Sequence, residues 1–186
     1  MNLRGDALVA ELRRAHRKAV VDDCHDKCCK LDLQGLPQRV ILKGERLEAL
    51  LPDHLRASLD RDKMADRIAL VPDGEWVHVV VVELKKGRFD VARAMLQVRN
   101  GMAVAEQILR KARADLAYVE PYAFIAHGPG VHREDAERVR SERLPFATRN
   151  VELQPRNCGE RLLAILRREA PSYTPLGSGK ATSREQ

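Results

Sequence analysis

Apolar residues recur along this chain with two different periods, and the changes of period mark out its elements. Between residues 6 and 21, Leu8, Leu12, Ala15 and Ala19 fall at helical spacing while Arg13, Arg14, Arg17 and Lys18 lie elsewhere, which predicts an amphipathic helix with a basic outer face. A compact polar knot follows, Asp22-Asp23-Cys24-His25-Asp26-Lys27-Cys28-Cys29. Leu36-Pro37 breaks the chain before a short strand, Arg39 to Lys43, which ends at Gly44. Residues 45 to 63 mix leucine with charge and read as partly helical, interrupted at Pro52.

The clearest pattern comes next. Asp66 to Val71 reads as a strand, Asp73 to Trp76 as a turn, and Val77 to Lys85 as a second strand. Val79 to Val82 is an unbroken β-branched run, as expected of a strand covered on both faces. A long helix is predicted from Asp90 to Ala114, where Val91, Ala94, Val98, Met102, Ala105 and Leu109 recur three or four apart. A strand from Tyr118 to Ala126, a charged helix from His132 to Arg143, a strand from Ala147 to Leu153 and a helix from Gly159 to Glu169 complete the series. Residues 172 to 186 are polar and read as a disordered tail. The expectation is one domain over residues 1–171, with its core at about 30–126. Its class is α/β, with a mixed sheet: an antiparallel hairpin plus a strand that returns after a helical crossover.

Composition narrows the setting. At 44% hydrophobic and 32% charged, the chain reads as soluble and globular. With only 4% aromatic residues, stacking on bases cannot dominate a nucleic-acid contact. The net charge of +6 favours polyanionic partners, because Lys and Arg release counterions from a phosphate backbone. The N-terminus lacks the apolar stretch and cleavage pattern of a secretory signal, and no run of about 18 apolar residues exists to span a membrane. A cytoplasmic setting with no membrane partner is therefore expected, with the four cysteines reduced.

The valine run ends in Glu83-Leu84-Lys85. Side chains alternate across a strand, so Glu83 and Lys85 share a face and His78 points to the other. Charges are seldom buried unless paired, ligated to a metal or catalytic. A four-residue turn, Asp73 to Trp76, pairs Pro72 with Val77, Leu70 with Val79 and Ile68 with Val81; the next same-face pair is Asp66 with Glu83. Opposed residues lie about 4.5–5.5 Å apart, and two carboxylates that close repel unless a cation stands between them. A hard divalent ion with oxygen ligands, Mg²⁺ or Mn²⁺, suits Asp66 and Glu83. Pro72-Asp73 is a decoy: it sits at the hairpin tip, about ten residues from Glu83 along a strand rising ~3.3 Å per residue.

Asp66, then Glu83-Leu84-Lys85 closing an apolar strand, then a long helix carrying Gln97 with Gly101 one turn on, resembles the PD-(D/E)XK nuclease superfamily over roughly residues 30 to 126. Cys28 to Leu33 followed by Gly35-Leu36-Pro37 is similar to small uncharacterised bacterial proteins of this type. One departure is Ala65, which stands where the family often has proline. The resemblance implies a restriction-endonuclease-like three-layer sandwich and metal-dependent phosphodiester hydrolysis, on DNA more than RNA. Asp66 and Glu83 would hold Mg²⁺ or Mn²⁺. Lys85 would orient the attacking water or stabilise the growing charge, and Gln97 would position Lys85, the water or a base. Lys86, Arg88, Arg93 and Arg99 are candidate phosphate contacts, with Lys86 on the face away from the chemistry. A homodimer, a defence-system partner and a role in anti-phage defence or repair are expectations by association only.

Two other readings stay open. The same fold could serve as a non-catalytic nucleic-acid-binding or regulatory module. Cys24, His25, Cys28 and Cys29, with Cys158 available in space, invite zinc, but a second tightly spaced pair is missing, which favours free thiols.

Overall fold

The computed structural model describes residues 2–26, 29–36, 38–49, 51, 56, 59, 64–129, 131–168 and 173–175. Strands are β1 Val20–Val21, β2 His25–Asp26, β3 Cys29–Lys30, β4 Val40–Lys43, β5 Arg67–Asp73, β6 Trp76–Lys85, β7 Val119–His127, β8 Arg143–Phe146, β9 Arg149–Asn157 and β10 Tyr173–Pro175. Helices are α1 Gly5–Ala15, α2 Gly44–Glu48, α3 Val91–Lys111, α4 Arg133–Ser141 and α5 Leu162–Arg168.

Eight strands form one mixed sheet in the order β1-β4-β5-β6-β7-β9-β10, with β8 also on β9. The β4-β5-β6 meander is antiparallel, and α3 carries the chain over to β7, which lies parallel to β6. The α/β class and the mixed sheet are as expected.

The faces of β6 separate two cores. Val77, Val79 and Val81 pack with Leu8 and Leu12 of α1, Leu47 of α2, the inner side of α3 and Val139 of α4. Val80, Val82 and Leu84 pack with Cys24, Cys29, Leu31 and the α5 residues Leu162 and Ile165. One layer is thus helical, and the opposite layer is the β2–β3 hairpin, its following segment and α5. Covering on both sides accounts for the valine run. Asp90 caps α3 by accepting from the Arg93 N–H, 3.1 Å.

Several expectations shift. The helix expected over residues 6–21 ends at Ala15, because Val20–Val21 is drawn into the sheet against Ile41 and Leu42. The turn holds only Gly74 and Glu75, since Asp73 pairs with Trp76; the ladder inside it keeps the expected register. Arg143 belongs to no helix: Leu144 and Phe146 alternate into the core on β8, which returns onto β9 through Ala147 at φ +53°. Within the tail expected to be disordered, Tyr173–Pro175 pairs with β9. Most of residues 50–63 and all of 176–186 lie outside the described residues. Among those described, no helix is long and apolar enough to cross a membrane.

Candidate active site

β6 outruns β5. Its antiparallel ladder stops at Arg67 with Val82, while its parallel ladder with β7 continues to Lys85 with His127. Beyond Val82 the β5 side of β6 has no strand partner among the described residues, and side chains take the vacated hydrogen bonds. The N–H of Asp66 donates to Glu83 Oε2 at 2.9 Å, and the N–H of Leu84 donates to Asp66 Oδ2 at 2.8 Å. Asp66 Oδ1 has no hydrogen-bond partner among the described residues.

Glu83 is 1% exposed and points toward α3 with Val79 and Val81. Lys85, two residues on and on the same face, sets its ammonium against Glu83 Oε1 and donates to Gln97 Oε1 at 3.0 Å. Gln97, on the inner side of α3, is 6% exposed. Asp66, Glu83, Lys85 and Gln97 thus converge on one place, as the sequence led us to expect.

Small residues make this convergence possible. A Cβ on Gly101 would lie 2.6 Å from Val81 Cγ1 and 2.8 Å from the Ala65 Cβ, so α3 can settle on β6 only with glycine there. A Cβ on Gly44 would lie 1.8 Å from the Ala65 carbonyl oxygen, and the Gly44 N–H donates to the Asp66 carbonyl at 2.9 Å. Ala65 is gripped between two glycines, and Asp66 is fixed as the next residue.

Burial raises the Glu83 carboxyl to about 7, with the Asp66 charge adding to the rise and Lys85 opposing it. Burial likewise raises the Asp66 carboxyl. The Leu84 N–H opposes that rise, the Asp26 charge reinforces it, and Lys85 and Arg67 oppose it. Carboxyls displaced toward neutrality in a cleft are a pattern that functional sites share with structural ion-pair networks.

Two adjoining hollows open on this cluster. One, of about 360 Å³, is lined by Asp66, Glu83, Lys85, Lys86, Arg88 and Gln97 among others. The other, of about 120 Å³, includes Lys43, Glu45, Glu48 and again Asp66 and Gln97. Asp26 lines both. Its place in the polar knot gave no sequence signal for this.

The basic candidates divide. Arg88 and Lys86 rim the larger hollow, so Lys86, expected on the far side, reaches the same space because β6 has ended before it. Arg93 lies one turn before Gln97 on α3, exposed and outside that lining. Arg99 is bound to Glu142 and lies outside that lining. Asp73 remains at the hairpin tip, 3.6 Å from His78, and His78 faces the opposite core beside Glu120.

Among the described residues no three His, Cys, Asp or Glu side chains gather closely enough to enclose an ion. The donor set still fits a hydrated divalent cation, because Mg²⁺ keeps several waters and needs only one or two carboxylates. Asp66 with its open Oδ1, and Glu83 beside it, would supply those carboxylates.

The cysteines correct an expectation. Cys29 and Cys158 form a disulfide, with Cα atoms 5.1 Å apart, so they are neither reduced nor free to bind zinc. Cys24 is a buried thiol pushed up to about 12 by burial, which disfavours the thiolate that zinc requires. Cys28 lies outside the described residues. The disulfide sits at the site's end of the sheet, with Cys158 Sγ 3.8 Å from the Lys85 carbonyl oxygen and Cys29 Sγ 3.4 Å from that of Ala126.

Compared with known proteins, the chain matches no family model, no curated protein and no solved structure.

Proposed function

We propose that this chain is a divalent-metal-dependent nuclease of the PD-(D/E)XK type that hydrolyses phosphodiester bonds, DNA before RNA. The observation that carries the reading is the meeting of Asp66, Glu83, Lys85 and Gln97 at the open end of β6. The element order supports it: a helix, an antiparallel meander, a crossover helix and a parallel strand is what a restriction-endonuclease-like fold would require.

A bound Mg²⁺ or Mn²⁺ would polarise the scissile phosphate and acidify an attacking water. The protein's part is to hold and orient. Asp66 and Glu83 supply oxygen donors whose geometry is preset by bonds to the main chain of each other's strand. Lys85 brings a compact cation to where negative charge grows on the phosphate. Gln97 fixes the Lys85 ammonium through its carbonyl oxygen, and Lys86 and Arg88 offer phosphate contacts at the rim.

A second reading has its own support. The two carboxylates cap main-chain N–H groups at a sheet end, a structural role sufficient for a non-catalytic binding module. Calorimetric titration with Mn²⁺ separates the two. The nuclease reading expects saturable binding that Asp66→Asn or Glu83→Gln abolishes. Heat of dilution alone from a folded wild-type chain would contradict it and leave the binding module.

A further inference from the structure

Asp26 occupies the common wall of both hollows, and its carboxylate has no hydrogen bond or ion pair among the described residues. It reaches that position on the β2–β3 hairpin, which lies outside the main sheet and is pinned at two points. Register sets Asp26 opposite Cys29, whose disulfide to Cys158 ties the hairpin to the end of β9. On the other side the buried Arg67 guanidinium donates to the Asp23 and His25 carbonyls. Gln97 also borders both hollows. It is 6% exposed, its carbonyl oxygen is taken by Lys85, and its amide nitrogen has no partner among the described residues.

Charge counting gives Asp26 a task. Asp66 and Glu83 together offer two negative charges when ionised, and Lys85 cancels one of them. Asp26 adds a negative charge on the wall common to both hollows, where Lys43, Arg67, Lys86 and Arg88 face Glu45 and Glu48 across the remaining lining. Among the described residues no three acidic side chains gather around one point, which assigns Asp26 to the ion's waters rather than to the ion. Mg²⁺ and Mn²⁺ bound by two carboxylates retain waters, and those waters need acceptors.

We propose that Asp26 is a positioning residue of the cation site, accepting hydrogen bonds from the waters of the ion held by Asp66 and Glu83. The unpartnered Gln97 amide faces the same water shell as a donor. The inference rests on the nuclease reading and adds to it a residue from a disulfide-held hairpin.

The test is Mn²⁺ titration of the full chain as wild type, Asp26→Asn, Asp26→Glu, Cys158→Ser, Asp26→Asn with Cys158→Ser, and Asp66→Asn, with melting in EDTA as a check on folding. Asp26→Asn is expected to weaken Mn²⁺ binding about tenfold or more with its EDTA melting temperature kept, as loss of partners to a metal's ligands does. Asp26→Glu should retain more affinity because it keeps the charge. Cys158→Ser should weaken binding by a smaller factor, and should add nothing in the Asp26→Asn background. Wild-type affinity in Asp26→Asn, with binding abolished in Asp66→Asn, would overturn this inference alone. Equal losses in Asp26→Asn and Asp26→Glu would also overturn it. Absence of Mn²⁺ binding in the wild type would remove the nuclease reading and this inference together.

Discussion

Asp66 and Glu83 hold each other's strands in place: the Glu83 carboxylate accepts from the Asp66 N–H at 2.9 Å, while the Asp66 carboxylate accepts from the N–H that follows Glu83 at 2.8 Å. The exchange arises because β5 ends one pair too early to satisfy β6 with main chain. Two acids are thereby brought together in a buried place, where neither ionises easily without a cation.

Lys85 is the resident cation of that pair. Its removal leaves Glu83, 1% exposed, without a counter-charge. Lys85→Met should therefore cost about 1–3 kcal/mol near neutral pH, less than a fully buried pair because the Glu83 carboxyl can take a proton instead. Glu83→Gln combined with Lys85→Met should recover most of the loss. Urea denaturation of the three variants measures it, and additive losses would contradict the pairing.

Stability and cation binding should titrate together. Because burial raises the Glu83 carboxyl from 4.5 to about 7, the folded chain keeps a proton that the unfolded chain releases. That contribution is fully present below about pH 4.5 and is lost as pH rises through about 7. In EDTA, wild-type stability relative to Glu83→Gln should fall as pH rises from about 4.5 through about 7. Mn²⁺ competes with the proton, so its affinity should climb over the same interval and then level off. Melting curves with EDTA and with Mn²⁺ at several pH values check both slopes.

Gly101→Ala probes the seat of α3. The added Cβ meets Val81 and Ala65 at 2.6 and 2.8 Å, and both belong to the packed core. Overpacking of this kind costs about 1–3 kcal/mol, against a gain of about 1 kcal/mol in helix propensity. A net loss of stability is expected, with a drop in Mn²⁺ affinity because Ala65 carries Asp66. A variant as stable as wild type would show that α3 does not need the close approach.

Non-reducing peptide mapping should recover Cys29 joined to Cys158, and Cys24 should resist thiol reagents until the chain unfolds. The bridge spans 129 residues, so treatment with a dithiol should lower stability by about 2–4 kcal/mol. Unchanged melting after complete reduction would remove the hairpin clamp.

How far the sequence could be read follows from how local each signal is. The β5–β6 register was legible because two strands joined by a tight turn pair with little freedom, and the valine run marked which strand is covered twice. The same alternation put Glu83 and Lys85 on one face, whereas Gln97 was singled out only by the family resemblance. Val20–Val21 and β8 were hidden because their pairing partners, not their own pattern, decide their conformation. Asp26 was illegible for a stronger reason. Its position depends on a disulfide and on Arg67, contacts separated from it by long stretches of chain.

The decisive measurement is cleavage of plasmid, linear duplex and single-stranded DNA with Mg²⁺, Mn²⁺ or EDTA, by wild type and by the folded Lys85→Met variant. Strand scission by the wild type is expected to require the metal, to stop in EDTA, and to fall at least about a hundredfold in Lys85→Met, the loss seen on removing one charge-stabilising group. Intact DNA in every wild-type reaction, or equal scission by Lys85→Met, would contradict it.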